Sequence, residues 1–291
     1  MKADAPRVVA DGVHKPVAHD SATRHVTGEA RYIDDIAEPR GLLHVALGLS
    51  EVARARILSL DLSGVEAFPG VVAVLTARDV PGENDISPVG KHDEPIFPEQ
   101  EIAFHGQPLF AVVAESRDIA RRAARLAKVR TEALPPVLDL AEARGGRLVT
   151  EPLELRRGDP APAIEAAPHR ISGTMAIGGQ DHFYLEGQIA LAAPGEDGEM
   201  HVWSSTQHPS ETQHMVAHAL AVTASHVTVE VRRMGGGFGG KETQANIFAV
   251  NAALAARRTG RPCKLRPDRD EDMLATGKRH DMLGDYRAGV V

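Results

Sequence analysis

Five glycines and a single phenylalanine are crowded into MGGGFGGKET, residues 234–243, and no other stretch limits so sharply what this chain can fold into. A backbone this rich in glycine either takes up positive φ or lets another group come close to it. What flanks it narrows the choice. VTVEVRRM before it alternates like a strand, and Gln244 to Arg258 after it is alanine-rich and helical, stopped by Gly260 and Pro262. The chain must therefore contain a strand–glycine loop–helix unit.

Two generic phosphate-binding motifs fit the loop in part. Gly235, Gly237 and Gly240 have the spacing of the dinucleotide fingerprint, and Gly235 to Lys241 has that of the phosphate loop up to its last residue. The phosphate loop needs Ser or Thr after the lysine to hold magnesium, and here Glu242 would add negative charge beside a triphosphate. The dinucleotide fold needs a buried parallel strand, whereas Thr228, Glu230 and Arg232 give this strand one wet face. A tight turn that merely permits packing is the plain alternative, and it does not account for Lys241 and Glu242.

Elsewhere the pattern is α+β. Leu42–Leu49 and Ile57–Leu62 read as strands, Val65–Phe68 as a helical turn, and Val71–Leu75 as a short buried strand. A Pro/Asp-rich loop over 81–98 leads to the apolar strand in GQPLFAVVAES, a helix over Arg117–Val129 and the strand KVRTEAL. Beyond a linker over 139–169, strands are expected at Arg170–Ile177, Gln188–Ala193 and Glu199–Ser205, and a helix at Pro209–Ala221. This predicts an irregular segment over 1–18, one α+β domain over 19–138 and a second unit over 170–291.

Charge and cysteine content remove several function classes. The 40 acidic and 33 basic residues leave a net charge of -7 with no basic stripe, which argues against nucleic acid. The start lacks the unbroken apolar run of a signal peptide, and no segment has the length and apolarity of a membrane span. Cys263 is the one cysteine, so the chain forms no internal disulfide and cannot by itself supply the usual ligands of an iron–sulfur cluster; a cytoplasmic setting is expected.

With these residues in view, MGGGFGGKE resembles the loop that approaches molybdenum in the molybdenum hydroxylases, the xanthine dehydrogenase and aldehyde oxidase family. PGVVAVLTARDVPG (69–82), GGQDHFYLEGQ (178–188), WSSTQHPSETQ (203–213) and DRDEDMLATGKRHD (268–281) resemble the same large subunit in the same order, so the likeness runs from about His19 onward. The resemblance implies an α/β-hammerhead-type domain followed by the first part of a mixed α/β molybdopterin-binding domain. It also implies roles for particular residues. Gln207 matches the glutamine whose amide donates to an oxygen ligand of molybdenum, and Gly237 and Phe238 match the cofactor-side loop segment. By this resemblance Gln207 and Phe238 would stand around the metal without ligating it. Glu242 matches the substrate-binding glutamate of purine-oxidising members, where aldehyde oxidisers tend to carry an apolar residue; its plain alternative is a solvated carboxylate near a helix N-terminus.

The implied activity is hydroxylation of hypoxanthine and xanthine to urate by a molybdenum–molybdopterin group. Electrons would leave through [2Fe-2S] clusters and FAD, on a partner chain or domain, to NAD. The family's active-site arginine and catalytic base lie beyond the portion represented, so no catalytic residue is assigned here. The chain reads as a fragment or split subunit, inactive alone and completed by the rest of the large subunit in a hetero-oligomer. Asp181 and Pro267 depart from the family pattern. Two other readings remain open, an aldehyde or N-heterocycle hydroxylase and a non-catalytic interaction module of the same fold.

Smaller signals receive plain readings. His214 and His218 share a helix face without the glutamate of a zinc hydrolase, and His182 is expected to make a structural hydrogen bond. The run Asp268–Asp272 lacks the glycine of a calcium loop and reads as a solvated loop bridged to Lys278 or Arg279, and Cys263 as a buried strand cysteine.

Overall fold

The computed structural model describes residues 12, 14–146 and 148–290; residues 1–11 and 13 of the expected irregular segment lie outside them. In chain order the helices are α1 (Ala22–Thr27), α2 (Ser63–Glu66), α3 (Arg117–Ala124), α4 (Leu140–Ala143), α5 (Pro160–Ala166), α6 (Pro209–Leu220), α7 (Ala245–Thr259) and α8 (Arg269–Ala275). The strands are β1 (Leu43–Leu49), β2 (Ala55–Asp61), β3 (Val71–Leu75), β4 (Glu101–Ile102), β5 (Pro108–Ala114), β6 (Lys128–Ala133), β7 (His169–Ile177), β8 (Ala190–Pro194), β9 (Met200–Ser204), β10 (Val227–Glu230), β11 (Cys263–Leu265) and β12 (Met282–Val290).

Seven strands form one sheet in the order β10-β9-β8-β11-β1-β5-β3. It joins the two halves of the chain, because β1 runs parallel to β11 with Leu43 opposite Cys263 and antiparallel to β5 with His44 opposite Ala114. β5 is buried at every residue because it serves two cores. Ala111 and Val113 face the large cluster under α6 and α7, while Phe110 and Val112 face a smaller one with Ala55, Val65 and Ile102. Alternate side chains of a strand point to opposite faces, so an unbroken apolar run is what such a strand requires.

α7 is buried from Ala245 to Ala256. Alanine allows this, since small side chains let β8, β11 and α6 approach closely, and its two buried polar side chains are bonded: Asn246 Oδ1 accepts from Thr212 Oγ1 at 2.8 Å and Asn251 Nδ2 donates to Ile247 O at 2.8 Å. Gly260 ends it in the left-handed conformation at φ 65°, with its N–H returned to Ala256 O. The loop over 81–98 is fastened down: Ile96 and Phe97 are fully buried, and the Asn84 side chain brackets the Phe97 backbone at 2.8 and 3.0 Å.

Several expectations are corrected. Val71–Leu75 forms a strand, but at the sheet edge and only half-buried. The helix expected to Val129 stops at Ala124, because the chain must turn to pair β6 with β2. β10 ends at Glu230, well short of Met234. The linker region holds α4 and α5, and its last residue, His169, already belongs to β7.

Asp268–Asp272 is no solvated loop. Asp268 caps α8 in a reciprocal box with Glu271, both pair with Arg121 of α3, and Asp272 is buried; Lys278 pairs instead with Asp181 at 3.3 Å. Cys263 is buried as expected, with its thiol pushed up to about 11 by burial. β7 and β12 stand apart as a two-stranded ribbon of nine paired residues. Ile171, Met175, Ile177, Met282, Tyr286 and Val290 alternate along it and are all exposed.

Candidate functional site

The glycine loop runs from the end of β10 to α7 and is built around Gln207, which follows β9. Gln207 Oε1 accepts the backbone N–H of Gly239 at 2.9 Å and of Lys241 at 3.2 Å, and the Gln207 N–H donates to Lys241 O at 2.8 Å. An amide oxygen only accepts and an amide nitrogen only donates, so these contacts fix which way the side chain is turned. They leave Nε2 as a donor with no acceptor among the described residues.

Glycine at 237 has a reason visible here: a Cβ would come within 2.5 Å of Gln207 Oε1 and would push that side chain from its place. A Cβ at Gly240 would press on the His182 ring at 2.6 Å and on Tyr184 at 2.8 Å. The His182 ring lies against the loop at Gly240, and the hydrogen bond expected of it is not present among the described residues. Phe238 takes positive φ, 56°, and is 75% exposed, an unusual pairing of strain and apolar exposure for a non-glycine residue.

A buried polar group lies beneath the loop. Lys241 is fully buried, with Nζ 3.1 Å from Glu186 Oε2 and 4.6 Å from the centre of the Tyr184 ring. Burial lowers its pKa, opposed by the Glu186 charge. Glu186 Oε2 also accepts the Gly235 N–H at 2.8 Å, and the Glu186 N–H donates to Gly235 O at 3.1 Å. The Tyr184 hydroxyl donates to Asp272 at 2.6 Å, and burial followed by that carboxylate raises its pKa. Gln188 Nε2 donates both to Tyr184 Oη and to Gly240 O, at 3.0 Å each.

The structure therefore brings Gln207, Gly237 and Phe238 together. Glu242 follows in the chain, exposed, two residues before the Gln244 N-cap and outside the first turn of α7. It makes no hydrogen bond or ion pair among the described residues. Beside its neighbours Thr243 and Gln244 opens a cavity of about 620 Å³ whose apolar wall includes Phe104, Ile247, Met273 and Leu274. Glu186, Tyr184, Gln188 and Asp272 lie in the family-like segments 178–188 and 268–281 but received no role from the sequence; the signals available were those segments and Lys241, which a mere tight turn leaves unexplained.

His214 and His218 are exposed on α6, and no group of three or more metal-ligating side chains occurs among the described residues. None of the described helices is long and apolar enough to cross a membrane. β10 is a half-exposed edge strand, which removes the setting a dinucleotide fingerprint needs.

Comparison with known proteins adds the following. Residues 27–135 match the model of the aldehyde oxidase and xanthine dehydrogenase a/b hammerhead domain, and residues 142–291 that of the molybdopterin cofactor-binding domain. The chain is 42% identical to xanthine dehydrogenase/oxidase of Gallus gallus over 99% of its own length and 21% of that protein. It is 38% identical to aldehyde oxidase 3 of Rattus norvegicus, with the same coverage. Among solved structures, quinoline 2-oxidoreductase from Pseudomonas putida 86 superposes with a TM-score of 0.80 at 29% identity, covering 94% of this chain and 37% of that one. The chain thus spans about a fifth of the length of these curated relatives.

Proposed function

Because the chain belongs to the xanthine dehydrogenase and aldehyde oxidase family of molybdenum hydroxylases, we propose that it forms one wall of a molybdopterin site in an enzyme that hydroxylates hypoxanthine and xanthine to urate. The observation that carries this is the orientation of Gln207: both acceptor contacts are made by the loop, and its amide donor has no acceptor among the described residues. A neutral amide suits the task, since it holds an oxygen ligand of a metal in place without titrating near neutral pH.

The residues present fit such a group. Gly237 lies directly against the Gln207 side chain, where a Cβ would crowd it, and its neighbour Phe238 is exposed. When bound, molybdenum–molybdopterin supplies two-electron oxidation and oxygen transfer, chemistry that no side chain provides. Gln207 orients it from one side and Phe238 lines it. Glu242, without a hydrogen-bond or ion-pair partner among the described residues, is proposed to hydrogen-bond the ring nitrogens of a purine and to steady the charge that builds on the heterocycle. The catalytic base is proposed to lie outside this chain.

Further proposals follow from the same reading: electrons pass to [2Fe-2S] clusters and FAD on a partner chain or domain and then to NAD, in a hetero-oligomer with the rest of the large subunit. A cytoplasmic location is supported by the single cysteine. We also retain a hammerhead-type domain over 19–138 and a molybdopterin-binding unit from 170 onward.

Likeness to an aldehyde oxidase supports a second reading, oxidation of aldehydes or N-heterocycles. The test is molybdenum and pterin content of the complete assembly, together with xanthine-dependent NAD reduction. Glu242→Val should move preference from purines towards aldehydes; unchanged purine turnover removes that role, and absence of molybdenum from the complete assembly rejects the cofactor assignment.

A further inference from the structure

We propose that Lys241 and Glu186 are positioning residues for this site: their buried ion pair straps the entry of the glycine loop to its exit and so holds the Gln207 amide with its donor outward. The inference rests on the reading of Gln207 given above. At the loop entry, Glu186 grips Gly235 twice, through Oε2 to its N–H and through its own N–H to Gly235 O. At the exit, the Lys241 backbone grips Gln207 twice, at Oε1 and at the main-chain N–H, and its carbonyl also accepts from Thr206 Oγ1 at 3.3 Å. The Nζ–Oε2 contact at 3.1 Å joins these two clamps into one closed path.

Stability alone does not account for the pair. Lys241 is fully buried, and replacing a buried ion pair by neutral groups of similar volume is often neutral or stabilising. The tight turns themselves need only the glycines. A charge kept here despite its desolvation points to geometry, and this geometry ends at Gln207. The Tyr184 ring, fixed through its hydroxyl to Asp272, packs beside the ammonium and limits where it can go.

The experiment compares Lys241→Met, Glu186→Gln and the double variant in the complete assembly. It reads molybdenum content, melting temperature, kcat and KM, and hydrogen exchange at the Gly239 and Lys241 N–H groups. Each single variant is expected to lower the melting temperature by leaving one charge unpaired. In the double variant the melting temperature is expected to recover, while kcat stays down about 10-fold, the low end of the effect of losing an outer partner of a metal site because the pair acts through Gln207. KM should change little, and exchange at the two N–H groups should stay faster than in the wild type. Recovery of kcat together with the melting temperature, or unchanged exchange, would overturn the inference and leave the pair a stability element. Glu186→Gln keeps an acceptor for the Gly235 N–H, so it carries the comparison if Lys241→Met does not fold. A wild-type assembly without molybdenum or turnover defeats the functional reading instead, and the exchange rates then still decide whether the pair holds the amide.

Discussion

Gly237→Ala isolates the contact on which the site is built. The backbone at Gly237 is not in the left-handed region, so alanine meets no conformational barrier there. Its cost comes from one neighbour: the new Cβ would lie 2.5 Å from Gln207 Oε1, 2.7 Å from Cδ and 2.9 Å from Cγ. Relief requires the Gln207 side chain to move, which breaks its bonds from the Gly239 and Lys241 N–H groups. Two such bonds at about 0.5–1.5 kcal/mol each amount to roughly 1–3 kcal/mol. Residual overpacking adds about 1 kcal/mol, the low end of its range because Gln207 is only half-buried.

The assay is a double-mutant cycle with Gln207→Ala, read by urea denaturation. Gln207→Ala removes all three clashing atoms, so adding Gly237→Ala to it should cost less than about 0.5 kcal/mol, leaving a coupling energy of roughly 2 kcal/mol. Simple additivity, or a single-variant cost below about 0.5 kcal/mol, would refute the claim that Gln207 is what forbids a side chain at 237.

Tyr184→Phe should cost about 1–3 kcal/mol, because buried Asp272 loses a 2.6 Å donor; denaturation of the variant measures it. Burial, with the charges of Asp93, Asp85 and Glu211, raises the pKa of Glu94. Its ionised form is therefore disfavoured in the fold, and the penalty is full above the folded pKa and absent below the ordinary carboxylate range. Glu94→Gln should accordingly raise the melting temperature at neutral pH, with the gain vanishing as pH falls through that range; a gain that grows on acidification contradicts the assignment. The Cys263 thiol should resist thiol-specific reagents at pH 8 until the chain unfolds, and labelling of the native protein at the rate of a free cysteine would show that its burial is not maintained.

What the sequence disclosed and what it hid divide by distance along the chain. β5 and α7 were readable because an unbroken apolar run and an alanine-rich helical run each carry their burial in their own residues. The position of Gln207 beside the loop followed from resemblance, but the reason for Gly237 did not, since the atom that excludes a Cβ there lies thirty residues earlier in the chain. Asp268–Asp272 misled for the same reason: its charges are ordered by Arg121, 147 residues from Asp268, and by Tyr184, 88 residues from Asp272. Lys241 reads as a surface residue in any local window, and only the return of Glu186 beneath the loop makes its burial tolerable.

The place of β1 in the large sheet also sets a timetable. Its parallel neighbour β11 is made about 220 residues later. At ribosomal rates of about 5–20 residues per second, that is an interval of roughly 10–45 seconds. Throughout it the β11-facing edge of β1 carries unpaired backbone groups, with Leu43 and Val45 not yet enclosed by the later half of the chain. The edge of β1 is thus open to wrong pairing for that interval, and the yield of folded chain is expected to respond to translation speed between Leu49 and Cys263.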